Sequence, residues 1–209
     1  MSRKRSPKVP TRDSFVSDQA RAYQGARWMA RLQHATTRRA LELLGDEKIG
    51  GGISPDAKRE GAVLDAGCGN GFSTEIAMQA GFPIVVGVEI SLDMLELRHL
   101  PNPVVQADMA RMPFRDGAFS FVISISAMNF LSQDIEDATL ARQVYDAFAR
   151  QVHALLMPGG RGVVEFYPKS RAELDVITRA FGTLSGFQGF LVIDKPGTRK
   201  EQKFLIFRK

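Results

Sequence analysis

The sequence predicts one α/β domain built on a doubly wound seven-stranded sheet with an antiparallel hairpin at its C-terminal end. Three observations point there. Short apolar runs alternate with helical patterns from Ala62 onward, a glycine-rich turn follows the first run, and the last two runs have no helix between them. Alternating strands and helices imply a parallel sheet. Two apolar runs joined by a short connection close as an antiparallel pair.

The elements follow in order. Residues 1–16 are basic, contain Pro and lack periodicity, so they are expected to be disordered, with the domain over 17–209. From Ser17 a long helix is expected: Tyr23, Trp28, Leu32, Leu41, Leu43 and Leu44 recur at helical spacing before Gly45 stops it. Gly50-Gly51-Gly52 and Ser54-Pro55 read as a surface loop. Ala62 to Ala66 is a buried strand, and its Gly-rich turn leads into a helix over about 71–80. Pro83 to Val88 is the second strand, Ser91 to Leu97 a helix, Val104 to Ala107 a short third strand and Phe119 to Ile125 the fourth. Asp137 to Leu156 is a long helix stopped by Pro158-Gly159-Gly160, followed by a strand over Gly162 to Tyr167 and a helix over Ala172 to Leu184. Gly189 to Ile193 and Phe204 to Phe207 make the hairpin, with Lys195-Pro196-Gly197-Thr198 opening the connection.

Composition excludes several classes. The 209 residues suit one α/β domain with a full core, and no apolar run approaches the length needed to span a bilayer. The basic start has no apolar stretch after it, so no secretory signal is read. Cys68 is the single cysteine, which leaves no internal disulfide and no all-cysteine zinc site. A reducing, cytoplasmic home is expected, or a nuclear or nucleolar one if the source is eukaryotic. His34, His99 and His153 show no metal spacing. Residues 1–12 carry five Lys or Arg and no acid, and 195–209 carry six against Glu201. The ends thus hold +10 of a net +5, and the middle holds −5. Basic ends read either as an attraction for a polyanion or as solvated tails.

The chemistry centres on Asp65-Ala66-Gly67-Cys68-Gly69-Asn70-Gly71 at a strand-to-helix turn. Glycines there allow positive φ and close backbone approach to a ligand. A pyrophosphate binder uses G-x-G-x-x-G/A instead. Glu89, 18 residues beyond Gly71, ends the second strand, where a carboxylate accepts both ribose hydroxyls. Asp108 ends the third. Three carboxylates at successive strand ends are expected on one rim, although each alone also reads as a helix cap. Cys68 reads as a small packing residue.

The D-x-G-x-G-x-G pattern resembles motif I of the Rossmann-like class I methyltransferases, which use S-adenosylmethionine and whose last strand inserts antiparallel. That resemblance implies glycine backbone against the methionine part, Asp65 at its amino end, and Asp108 and Met109 at the adenine. Methyl transfer needs an acceptor held in line, here near Ser124-Ile125-Ser126-Ala127-Met128-Asn129-Phe130-Leu131. Pyrimidine C5 chemistry needs a cysteine nucleophile, and the one cysteine sits in the cofactor turn. The Asn/Asp-Pro-Pro-aromatic motif of exocyclic amine methylation is missing. Guanine N7 offers a lone pair and needs no base. Asn129 and Phe130 read as an amide contact and a stacking shelf for it, or as a cap and a core residue.

The chain is further similar to the small-subunit rRNA guanine-N7 methyltransferase family. The match runs through Tyr23, Gln33, Thr37 and Arg39 to Leu44, then Leu64 to Gly71, Gly87 to Ser91 with Met94-Leu95, and Asp108-Met109. It continues through Pro113-Phe114-Arg115, Ile123 to Ala127, Tyr167-Pro168-Lys169, and Gly186-Phe187 through Val192-Ile193-Asp194 to Phe204. It implies cofactor contacts from Tyr23, Asp65, Gly67, Cys68, Gly69, Gly71, Glu89, Ile90, Asp108, Met109 and Ser124. Asn129 and Phe130 position the acceptor, and Tyr167 and Lys169 face RNA on the rim. Tyr23 and Trp28 also read as core, and Lys169 as an exposed loop residue. Family members often carry Trp at Phe130, Gln at Asn129, an Arg at Trp28 and a basic tail beyond Lys209. The family works with a small zinc-binding activator protein. The resemblance implies that the activator pairs with the edge strand near Val104 to Ala107, whose prolines Pro101 and Pro103 also read as simple edge protection. The competing readings are a small-molecule or tRNA methyltransferase of the same fold, and a ribosome-assembly factor whose catalysis is dispensable.

Overall fold

The computed structural model describes residues 27–133 and 135–209. The expected disordered segment, Tyr23 and the start of the first helix lie outside the described residues. Helix α1 (Arg27–Leu44) buries Ala40, Leu43 and Leu44 on the sheet and closes at Gly45, whose N–H donates to Leu41 O and Glu42 O. A 3₁₀ turn, Glu47–Ile49, follows. Next comes α2 (Pro55–Glu60), capped by Ser54 with Pro at its first position, where a loop was expected. It buries no residue, so no apolar stripe announces it; its signal is the Ser-Pro cap.

The sheet comprises β1 (Ala62–Ala66), β2 (Ile84–Glu89), β3 (Val104–Gln106), β4 (Phe119–Ile125), β5 (Leu156–Phe166), β6 (Gln188–Asp194) and β7 (Gln202–Arg208). Their order is β3-β2-β1-β4-β5-β7-β6. The first five run parallel, and β7 inserts antiparallel between β5 and β6. The intervening helices are α3 (Phe72–Gln79), α4 (Leu92–Glu96), α5 (Ala138–Leu155) and α6 (Arg171–Arg179). α6 widens into a π turn over Ala180–Leu184, within the single helix expected there. β5 starts six residues earlier than expected and takes in Pro158-Gly159-Gly160. The register shift between Phe119 and Phe121 explains this, because a bulged strand end tolerates Pro and Gly that a regular one rejects.

Alternation along each strand divides the core. Val63, Phe121, Ile123, Val163, Phe204 and Ile206 pack with α1 and α3 residues on one face. Leu64, Val122, Val164, Leu205 and Phe207 pack with Tyr145, Phe148, Val152 and Phe181 on the other. Parallel strands thereby bring the tips of β1, β2, β3, β4 and β5 to one rim. β3, three residues long, is an edge. Among the described residues no helix is long and apolar enough to cross a membrane.

Candidate functional site

The turn after β1 is bent back onto β2: the N–H groups of Gly67 and Cys68 both donate to Val88 O, at 2.8 and 2.9 Å. Gly67 sits at φ +79, and a Cβ there would lie 2.2 Å from Ala127 Cβ and 2.6 Å from Met109 Cε. Only glycine lets the turn pass between these side chains. Gly69, at φ +52, donates its N–H to Glu89 Oε2 at 2.9 Å. Glu89 Oε1 accepts from Ile90 N and Ser91 N, both at 2.8 Å. Three backbone donors thus aim one carboxylate before any ligand arrives; they fill both lone pairs of Oε1 and one of Oε2, which keeps the other for a hydroxyl.

These groups line a cavity of about 250 Å³. Gly67, Gly69, Glu89 and Ile90 form one side, and Asp108 and Met109 continue it from the end of β3. Asp108 Oδ1 accepts from Ala110 N at 2.8 Å, which holds its loop. Ile125, Ser126, Ala127, Phe130 and Leu131 form the opposite wall. Apolar walls with two fixed carboxylates suit a flat ring joined to a diol.

Several expected site residues take other positions. Asp65 is fully buried and turned onto the α3 face, so two of the three strand-end carboxylates meet on the rim, not three. Its Oδ2 accepts from the Ser73 and Thr74 hydroxyls, both at 2.7 Å, and its Oδ1 lacks a hydrogen bond. Burial pushes its carboxyl above the ordinary carboxylate range, and the two hydroxyls pull it partly back. Alternation sends Asp65 to that face, two residues after Val63, where α3 presents its first hydroxyls. Cys68 is buried against Gly87, and burial holds its thiol well above its usual value, so it packs rather than reacts. Gly71 caps α3 beneath Leu100 and Arg98. Ser124 is fully buried, its hydroxyl donating to Ala66 O at 2.8 Å, which ties β4 to β1.

Phe130 reaches the cavity; Asn129, its neighbour on the 3₁₀ turn Met128–Leu131, does not. Asn129 Oδ1 accepts from Tyr167 N at 2.9 Å, joining the turn to the end of β5. Tyr167 is 40% exposed at the end of β5. Lys169 Nζ lies 3.5 Å from the carbonyl oxygens of Ser132 and Gln133, and its N–H donates to Glu173. Glu173 also accepts from the Tyr145 hydroxyl at 2.7 Å. The lysine is therefore drawn onto the segment that follows β4. Sequence reasoning missed Gln33 and Met94, both on the cavity wall. Gln33 is a nearly buried amide on α1, and a polar residue on the inward face of an amphipathic helix was its signal.

A methyltransferase domain model matches residues 64–164. The chain is 30% identical over 203 residues to an 18S rRNA (guanine-N7)-methyltransferase of Arabidopsis thaliana, covering 95% of this chain and 67% of that protein. It is 34% identical over 195 residues to the 18S rRNA (guanine(1575)-N7)-methyltransferase of Saccharomyces cerevisiae, covering 91% of this chain. It spans 66% of that relative's length and 62% of the Schizosaccharomyces pombe one, just under two thirds. Among solved structures, magnesium protoporphyrin IX methyltransferase from Synechocystis superposes with a TM-score of 0.64 at 17% identity, covering 100% of both chains. That likeness concerns the fold.

Proposed function

The chain belongs to the 18S rRNA (guanine-N7)-methyltransferase family, and from that premise we propose that it methylates N7 of a guanine in ribosomal RNA. The observation that carries the reading is the Glu89 carboxylate, fixed by three backbone donors at the mouth of an apolar cavity. S-adenosylmethionine, when bound, supplies a sulfonium methyl for in-line displacement.

The chain's own residues bind and orient. Glu89 accepts a ribose hydroxyl on Oε2 while keeping its bonds to Gly69, Ile90 and Ser91. Asp108 offers a carboxylate to the adenine amino group, with Ile90 and Met109 closing on the ring. The Gly67–Gly69 backbone leaves room for the methionine part. Across the cavity Phe130 gives the guanine a stacking face, which keeps N7 in line with the methyl group. N7 carries its lone pair in the ring plane, so no residue is needed as a base. The partner reading rests on β3: it lies at an open edge, and its Val104 is exposed. A strand of a zinc-binding activator would complete it.

Calorimetric titration of S-adenosylhomocysteine into the chain with its activator tests the cofactor reading, and the expected result is stoichiometric binding. Mapping 7-methylguanosine on total RNA from a deletion strain tests the substrate, with one small-subunit rRNA position expected to lose its mark. A loss confined to tRNA, or no loss at all, would refute it. Isolation of the chain alone as a soluble, cofactor-binding monomer would count against the activator.

A further inference from the structure

Glu165 is fully buried near the tip of β5, in the run Val163-Val164-Glu165-Phe166, where an apolar residue would cost nothing to bury. Its Oε2 accepts the Ser126 hydroxyl at 2.7 Å, and its backbone carbonyl accepts the Ser126 N–H at 3.2 Å. Ser126 is thus held twice by one residue. It needs holding: its φ is +55, a left-handed conformation that costs a serine free energy. Ser126 lines the cavity, and the chain turns there from β4 into the segment bearing Ala127 and Phe130. Two residues past Glu165, Tyr167 N holds Asn129, so the tip of β5 grips the acceptor segment at both ends. The other Glu165 oxygen, Oε1, is buried without a hydrogen bond, so the Ser126 hydroxyl is the side-chain partner this carboxyl has among the described residues.

We propose that Glu165 is a positioning residue for the methyl acceptor: it clamps Ser126 in the left-handed conformation that directs Ala127 and Phe130 into the cavity. This rests on the reading of the cavity as a methyl-transfer site. The cofactor side stands apart from the clamp, because Glu89 and Gly69 are held from β1 and β2 alone. Glutamine is isosteric and accepts the serine hydroxyl, whereas alanine cannot.

The test compares Glu165→Ala, Glu165→Gln and Ser126→Ala in the chain purified with whatever partner it needs. In Glu165→Ala, amide hydrogen exchange across 126–131 is expected to speed up about tenfold, while 66–71 and 87–91 stay at wild-type rates. S-adenosylhomocysteine affinity stays within about threefold, and kcat for guanine methylation falls by about tenfold or more. Glu165→Gln keeps wild-type exchange and most of kcat. Adding Ser126→Ala to Glu165→Ala costs no more than Glu165→Ala alone. Unchanged exchange over 126–131, equal damage from Gln and Ala, or additive losses would overturn the clamp. A wild-type chain that methylates no guanine would sink the functional reading instead, and the exchange result would still judge the clamp.

Discussion

The two walls of the cavity are built by different means. The part of the cavity built from β1 and β2 is local: a glycine turn, a carboxylate and the next two N–H groups, all within 25 residues, Gly67 to Ser91. The wall from β4 is assembled over long separations, through Ser126 to Glu165, Asn129 to Tyr167 and Ser132 to Glu173. A local wall is preorganised by backbone geometry and is written in motifs. A long-range wall is held by side-chain bonds that can be removed singly, and under the proposed function it is the wall that meets the methyl acceptor.

The comparison breaks most severely at Gly67, where the walls touch. Gly67→Ala places a Cβ 2.2 Å from Ala127 Cβ at a left-handed φ. A stability loss of about 3 kcal/mol is expected, with no detectable S-adenosylhomocysteine binding. A denaturant midpoint and a calorimetric titration check both, and a wild-type titration curve would show that the turn tolerates the contact. Glu89→Ala strikes the local wall alone. Charged hydrogen bonds of about 1.5–3 kcal/mol each are lost, so affinity for the cofactor product should fall about 30-fold or more. An effect on the RNA KM at saturating cofactor would mean that the walls are not separable.

Phe130→Ala sharpens the other side. Base stacking on an aromatic ring contributes about 1–3 kcal/mol, so kcat/KM for RNA should fall about tenfold with cofactor affinity unchanged. Asn129→Ala removes one bond to Tyr167 N and should cost about fivefold in the same assay, near 1 kcal/mol.

The smallest effect is on stability against pH. Burial holds the Glu165 carboxyl above its ordinary value of 4.5, and the polar groups of Tyr167 and Ser126 only partly oppose it. The folded pKa exceeds the unfolded one. The contribution to stability is therefore complete below about pH 4.5 and lost as pH rises through the folded value. Glu165→Gln is neutral throughout. Its Tm relative to wild type should climb as pH rises from 4.5 and show no slope below it; a difference that is flat with pH would refute a raised carboxyl at this position.

Much of the architecture was legible residue by residue. β4 occupies Phe119–Ile125 as expected, because a seven-residue apolar run between turns allows little else. Glu89 and Gly69 were legible because each sits at or just past the end of its own strand, within one strand–helix–strand unit. Asp65 was misjudged in direction. A strand-end acid reads alike whether it faces a ligand or the Ser73-Thr74 hydroxyls of the next helix. Glu165 carried a signal that went unused, a lone acid inside an apolar strand, but its partner Ser126 lies 39 residues away.

By itself the sequence determined the order of strands and helices, the glycine turn and the acid that ends β2. These follow from periodicity and from backbone demands that only certain residues meet. The tertiary structure decided which carboxylates face the cavity and which are buried. It also brought β5 to hold the turn after β4. Those outcomes depend on strand alternation and register across distant segments, where burial cost and hydrogen-bond satisfaction are settled only when the sheet closes.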